Sequence, residues 1–136
     1  MSETARRIVE RFYDEIWNRR EEGAIETLCA RDLTFRGSVG MEKHGREEFA
    51  GYVEMVTSAL GEYHCAIDAL VVEGNRAFAK MRFSGIHRGE FLGFAPTGRR
   101  VEWAGAALFT IEDGKIRDLW VLGDVEGLRA QLRGAS

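Results

Sequence analysis

The sequence has few of the residues that cross-link or interrupt a chain. Its 136 residues include two cysteines, one proline and three histidines. Cys29 and Cys65 are too few for a disulfide framework and lack the spacing of a metal site, so we expect two buried thiols that pack as small apolar side chains. No nucleotide motif is present, and no pair of histidines or carboxylates has the spacing of a zinc or iron site. We therefore expect neither a cofactor nor a metal.

Long apolar runs and an excess of one charge are also missing. No apolar stretch reaches the roughly 18 residues of a membrane span, and the opening MSETARRIVE lacks the apolar centre of a secretory signal. The formal charge is −3, with apolar residues at 45% and charged residues at 30%, so nothing indicates a nucleic-acid or membrane partner. These values are typical of a globular protein. We expect a cytoplasmic protein with one domain over residues 1–136.

Helical periodicity dominates the first part of the chain. Apolar residues recur at steps of three and four from Ala5 to Trp17, which predicts an amphipathic helix of about five turns. The segment EEGAIETLCARD predicts a short second helix, and LTFRG predicts a strand that ends at Gly37. After MEKHG, a third helix is expected to carry the apolar residues from Phe49 to Leu60 on one face.

Alternation typical of strands dominates the rest of the chain. Four long strands are predicted from Tyr63 onward, with turns at EGNR and EDGK and a tight turn at APTG. Continuing the alternation of the second long strand places His87 on the buried side. The last strand is apolar on both faces, so another subunit is expected over one of them. Asp124 is expected to cap a closing helix, and the order of elements predicts an α+β domain with its helices on one face of the sheet.

Two segments carry a resemblance to a known family. The segments SGIHRGEFLGFAPTGRRVEW and FTIEDGKIRDLWVLGDVEGLRAQL resemble the strand, proline turn and final capped helix of the SnoaL-like polyketide cyclases, within the nuclear transport factor 2-like superfamily. The similarity extends over about residues 5 to 133. It implies a cone-shaped fold in which a curved antiparallel sheet wraps the first helix and leaves an apolar pocket. It also implies a homodimer formed through the outer face of the sheet.

The same resemblance leaves the known catalytic positions empty. The histidine and aspartate that handle protons in SnoaL-type cyclases align with Ala107 and Val121. The tyrosine and the general base of the related ketosteroid isomerases align with Phe12 and Gly37. None of these four residues can transfer a proton, so the function has to be argued from the site rather than from the fold.

Two other residues are candidates for proton transfer. His87 has inward parity, and an imidazole can donate or accept a proton, although His87 could instead anchor the following turn through hydrogen bonds. Asp124 is expected near the pocket mouth, although an N-cap alone stabilises a helix by about 0.5 to 2 kcal/mol and would explain it. Tyr52 could assist through its hydroxyl, or it could simply fill the core.

The pocket wall is expected to come from the first and third helices and the inner face of the sheet. A dry cavity of roughly 300 Å³ would cost on the order of 7 kcal/mol, so a protein without a ligand should fill it. Ala107 and Gly37 should enlarge the cavity unless Phe35 or Trp103 moves in. The residues expected to contact a substrate are Phe12, Ile16, Phe35, Tyr52, Val56, Trp103, Ala107 and Val121.

These observations lead to two functional hypotheses. The first is a cofactor-independent cyclase or isomerase that acts on an apolar small molecule with a carbonyl, with His87 and Asp124 as proton-transfer groups. The second is a small-molecule-binding or dimerisation module that has lost the acid and base of its relatives. Substitution of His87 by Gln should abolish turnover in the enzyme and leave a binder's affinity almost unchanged.

Overall fold

The computed structural model describes the backbone of residues 2–134 and the side chains of residues 4–134. The elements are, in chain order, α1 (Ser2–Arg11), a π-helical segment (Phe12–Asn18), α2 (Ala24–Leu28), β1 (Cys29–Arg36), β2 (Glu42–His44), α3 (Gly45–Ala59), β3 (Leu60–Glu73), β4 (Arg76–His87), β5 (Arg100–Glu112), β6 (Lys115–Gly123) and α4 (Val125–Leu132). None of the helices in this part of the chain is both long and apolar enough to cross a membrane.

Six strands form one curved sheet in the order β2-β1-β6-β5-β4-β3. All neighbours are antiparallel except β1 and β6, which run parallel. The expected α+β class is confirmed. The segment MEKHG, expected as a connection, contributes the short strand β2, in which His44 pairs with Thr34. Three residues are too few to show a period of two, which is why the sequence pattern missed this strand.

The helices cover one face of the sheet, which we call the inner face. The π-helical segment packs on β3, and α3 packs on β1. Phe12 is at the centre of this core, with its ring stacked on Phe49 at 5.8 Å and edge-on to Phe109 at 5.5 Å between centroids. It is 1% exposed. The core therefore lies between the first helical segment and the middle of the sheet.

The first helix is not α-helical throughout, as the periodicity had suggested. From Phe12 to Asn18 the backbone is π-helical, and the Arg19 N–H donates to the Asp14 carbonyl five residues earlier, at 2.9 Å. Four side chains of this segment are buried: Phe12, Tyr13, Ile16 and Trp17. The wider turn places two consecutive residues, Phe12 and Tyr13, against the core. Short π-helical turns inside α-helices are frequent at functional sites.

Strand β6 changes the face on which its apolar residues lie. The pairing with β5 shifts register between Thr110 and Ile111, so Ile116 is buried on the inner side although its parity matches that of Trp120. Trp120 and Leu122 are 42% and 50% exposed on the other side, which we call the outer face. A bulge adds one residue to one strand and so reverses the alternation beyond it. Both faces of β6 are therefore apolar, as the sequence predicted, but with a different division of residues.

The outer face has a row of apolar side chains that crosses four strands. Val71 pairs with Phe78, Phe78 with Leu108, and Leu108 with Trp120. Val71 and Phe78 are 62% and 44% exposed. The guanidinium of Arg36 lies 5.7 Å from the centre of the Trp120 ring, a cation–π contact at the end of the row. No helix among residues 2–134 covers this row.

Candidate functional site

A cavity lies between the π-helical segment, α3 and the inner face of the sheet. Its wall is mostly aromatic and consists of Phe12, Tyr13, Trp17, Phe35, Ser38, Tyr52, Tyr63, Cys65, Phe83, Leu119 and Val121. The centre of a water molecule has about 20 Å³ in which to move. That is room for little more than one water, so a larger ligand would have to push the aromatic rings apart.

The space beside Gly37 is filled by aromatic rings, which explains why the cavity is so small. A Cβ atom at Gly37 would lie 2.5 Å from Cζ of Tyr52, so the Tyr52 ring occupies the space that a larger residue 37 would need. Phe35 is tilted against the same ring at 5.1 Å between centroids. Gly37 does not enlarge the cavity in this structure, because Tyr52 and Phe35 fill the space. The alternative stated from the sequence, that Phe35 moves in, describes this structure.

Tyr13 places a polar atom in this apolar wall. Its side chain is 3% exposed, and its hydroxyl has no hydrogen-bond partner among the described residues. Burial raises the pKa of the Tyr13 hydroxyl well above its usual value, so the group stays protonated and can donate. A buried hydroxyl without a partner costs about 1 to 3 kcal/mol. A ligand that accepts a hydrogen bond from Tyr13 would recover that free energy.

The remaining polar groups of the wall are neutral as well. Burial raises the pKa of Tyr52 to about 12, with Ser38 and the Val39 backbone acting in the opposite direction. Burial also raises the pKa of the Tyr63 hydroxyl and of the Cys65 thiol. Among the residues described, no carboxylate and no imidazole lines the cavity. The site can therefore donate hydrogen bonds, but it holds no group that would accept a proton near neutral pH.

The residues expected to contact a substrate are divided between the cavity and the core behind it. Phe12, Phe35, Tyr52 and Val121 line the cavity. The other four are buried but do not line it, namely Ile16, Val56, Trp103 and Ala107. Trp103 packs on Phe83 and Tyr63 at 5.5 Å and 6.2 Å between centroids, so it stands directly behind the wall. Its Nε1 has no partner in the described part of the chain.

His87 is fully buried at the end of β4, on the inner side, as its parity indicated. It does not line the cavity. Thr97 N–H donates to His87 Nδ1 at 3.2 Å, and the Thr97 hydroxyl lies 3.1 Å from the same atom. The His87 backbone adds two bonds, from its N–H to Arg99 and to its carbonyl from Gly98. The imidazole thus anchors the segment that follows β4, which is the alternative role stated for His87 from the sequence.

The tight turn in this segment lies before the proline, not at it. Phe91 and Phe94 exchange backbone hydrogen bonds of 3.1 and 2.9 Å around Leu92 and Gly93, which have φ values of 52° and 85°. Two positive φ values in succession are typical of a type I′ turn. The APTG residues follow as a segment that contacts His87. Leucine rarely adopts a positive φ, so residue type alone does not predict a turn there.

Asp124 is exposed and caps α4. Its carboxylate accepts a hydrogen bond from the Gly127 N–H at 3.0 Å. It does not line the cavity. Its observed contacts are those of the N-cap, the alternative given for it from the sequence.

Several residues that line the cavity were not predicted as site residues from the sequence. Tyr13, Trp17 and Tyr63 were read as general core or strand residues, and Ser38, Cys65, Phe83 and Leu119 were not connected with a site. The only local signal was the buried pair Phe12 and Tyr13, since an amphipathic helix rarely directs a polar hydroxyl into its core. No group of three or more His, Cys, Asp or Glu side chains within the described residues could hold a metal ion.

Comparison with known proteins agrees with this architecture. Among solved structures, TsrD from Streptomyces laurentii has a TM-score of 0.85 at 26% identity, covering 97% of this chain and 96% of that one. A protein assigned as a SnoaL-like polyketide cyclase from Jannaschia sp. CCS1 has a TM-score of 0.89 at 18% identity, with 99% and 95% coverage. A Catenulispora acidiphila DSM 44928 protein with a ketosteroid isomerase-like fold, solved with trimethylamine, has a TM-score of 0.79 at 19% identity, with 95% and 93% coverage.

These similarities confirm the nuclear transport factor 2-like fold expected from the sequence. No curated protein matches the sequence significantly. The sequence profile of the SnoaL-like polyketide cyclases matches residues 7–132, nearly the whole chain. The match supports a cyclase-type role. The chain therefore belongs to the SnoaL-like polyketide cyclase family.

Proposed function

We propose that this protein binds a flat apolar compound in the aromatic cavity and hydrogen-bonds a carbonyl of that compound through Tyr13, as a cofactor-independent cyclase or isomerase. The observation that carries the proposal is the buried Tyr13 hydroxyl, which has no partner among the described residues and belongs to a side chain that lines the cavity. A carbonyl oxygen is the acceptor that would satisfy it, and the surrounding rings suit a flat apolar body.

The chemistry asked of Tyr13 is electrostatic. Ring closure by aldol addition and isomerisation through an enol both develop negative charge on a carbonyl oxygen. A hydroxyl donor in a water-poor site stabilises that charge, and losing one such donor in other enzymes lowers the rate by about 10² to 10³. Because no imidazole or carboxylate among the described residues lines the cavity, the proton acceptor would be a water or a basic group of the ligand.

The test measures the interaction between the Tyr13 hydroxyl and a carbonyl. We expect the wild-type protein to bind 2-acetylnaphthalene more tightly than 2-ethylnaphthalene, which has the same ring but no acceptor. Tyr13→Phe should remove this difference, about 2- to 10-fold for one hydrogen bond, and leave the affinity for 2-ethylnaphthalene unchanged. Isothermal titration calorimetry gives all four constants. Equal affinities of the wild type for both compounds would contradict the proposal.

His87 and Asp124 as proton-transfer groups form a separate prediction with its own test. Asp124→Asn retains the cap but cannot act as a base, and His87→Gln retains a hydrogen-bonding side chain. If either residue transfers protons, its variant loses turnover at unchanged ligand affinity. Full activity in Asp124→Asn would leave that residue with the capping role alone.

A non-catalytic ligand-binding module is the second candidate function. The observation in its favour is the absence of carboxylates and imidazoles from the cavity wall in the described part of the chain. The two candidates predict the same binding of 2-acetylnaphthalene. They differ in exchange of the ketone's α-hydrogens for deuterium, which only the enzyme accelerates and which NMR follows directly.

We also propose that two copies pair through the outer face. Support comes from the apolar row of Val71, Phe78, Leu108 and Trp120, since isolated surface apolar residues are common but a continuous row across four strands is typical of an interface.

A further inference from the structure

A polar depression adjoins the aromatic cavity. It is lined by Trp17, Asn18, Arg20, Thr57, Glu62 and Tyr63. The centres of water molecules can occupy about 110 Å³ of it. Trp17 and Tyr63 line the cavity as well, so their rings, 5.4 Å apart between centroids and inclined by 59°, form the partition between the two spaces. A molecule that parted these two rings would have an apolar environment at one end and a polar one at the other.

Two adjacent arginines at this point have different partners. Arg19 pairs with two carboxylates, those of Asp14 and Glu21. Arg20 has a φ of 48°, which turns its side chain to the depression, where it donates to the hydroxyl of Thr57 at 2.8 Å. Among the described residues, Arg20 pairs with no carboxylate. Its remaining N–H groups are available to a ligand.

The other polar groups of the depression are already engaged. Glu62, the one carboxylate among the described residues that lines it, pairs with Arg88 at 3.5 Å. The Asn18 amide exchanges hydrogen bonds of 3.0 and 2.8 Å with the backbone of Cys65. Because Glu62 pairs with Arg88, Arg20 is the charged side chain of the depression that has no carboxylate partner among the described residues. Such a site favours an anion.

We infer that the ligand carries a carboxylate as well as the carbonyl, and that Arg20 binds this carboxylate and thereby determines specificity. The inference rests on the proposed function, because it places the apolar body of the ligand in the cavity. The guanidinium of arginine matches a carboxylate with two parallel N–H donors, which a lysine cannot do. The substrate class is therefore a flat apolar keto acid whose carboxylate reaches the depression between Trp17 and Tyr63.

The experiment compares a ketone with and without a carboxylate on the wild-type protein and on variants of Arg19 and Arg20. The probes are 2-acetylnaphthalene and 6-acetyl-2-naphthoate, titrated calorimetrically near neutral pH. We expect the wild type to bind the naphthoate about tenfold more tightly, an advantage that shrinks at high salt because Arg20 is exposed. Arg20→Gln should reduce the preference to twofold or less without changing the affinity for the neutral ketone.

Arg19→Gln is the matched control, because it removes the same charge one residue away and should keep the tenfold preference. Arg20→Lys should retain only part of it. The inference is overturned if the wild type shows no preference for the naphthoate, or if Arg20→Gln preserves that preference. Both probes binding equally, with a Tyr13-dependent affinity, would overturn the inference and leave the proposed function intact. Binding of neither probe would overturn both.

Discussion

The two faces of the sheet contain similar apolar side chains in very different surroundings. On the inner face, Phe12 and Phe109 touch in a core that leaves room for about one water. On the outer face, Phe78 and Trp120 remain more than two-fifths exposed. The inner face gains stability from burial, although the Tyr13 hydroxyl, His87 Nε2 and Trp103 Nε1 are buried there without a partner among the described residues. The outer face gains none until something covers it. The comparison separates residues that hold the fold together from residues available for binding.

The largest expected effect comes from truncating a phenylalanine, once in the core and once on the outer face. Phe12→Ala should lower the free energy of unfolding by about 3 to 5 kcal/mol, because it empties the centre of the core. Phe78→Ala should cost under about 1 kcal/mol in the monomer, since Phe78 is already 44% exposed. Urea denaturation measures both. Similar costs would mean that Phe78 is buried in solution.

Alkaline pH should act on the inner face through Tyr52. Burial raises the pKa of Tyr52 from 10.0 to about 12. The stabilisation from its neutral form is therefore complete below pH 10 and is lost as the pH rises toward 12, about 3 kcal/mol in all. Urea denaturation at increasing pH, with tyrosinate absorbance, follows the loss. Tyr52→Phe is the control and should reduce it. A stability that does not change across this range would contradict the burial argument.

Tyr13→Phe should stabilise the ligand-free protein. The hydroxyl has no partner among the described residues, so its removal saves a desolvation penalty of about 1 to 3 kcal/mol while the ring keeps its packing. Thermal unfolding without ligand measures the gain. Tyr63→Phe provides a comparison, because the Tyr63 hydroxyl interacts with Cys65. A destabilised Tyr13→Phe would show that a water or another group already satisfies the hydroxyl.

The smallest effect on monomer stability is expected on the outer face. Trp120→Glu should change the free energy of unfolding of the monomer by about 0.5 kcal/mol or less, because Trp120 is 42% exposed. The same substitution should abolish the proposed dimer by placing a charge in the apolar row. Sedimentation or light scattering reports the mass. A wild-type protein that is monomeric at high concentration would remove the interface from this face.

The sequence was a good guide wherever a local period decides the structure. The alternation in β4 correctly placed His87 inward, and the segment DVEGLRAQL correctly indicated a helix capped by Asp124. The family resemblance correctly supplied the curved sheet. Half of the expected substrate contacts line the cavity, because inward parity identifies the core but does not separate the cavity wall from the layer behind it. Trp103 and Ala107 belong to that second layer.

What the sequence alone determined is the order of elements, the α+β class and most of the inner and outer residues, because these follow from periods of about 3.6 and 2 residues. Tertiary structure decided the rest through small departures from those periods. The π-helical segment aims Tyr13 at the cavity, the β6 bulge exchanges the faces of Ile116 and Trp120, and Gly37 admits the Tyr52 ring. Each departure depends on how distant residues pack against one another, and packing between distant residues has no local pattern.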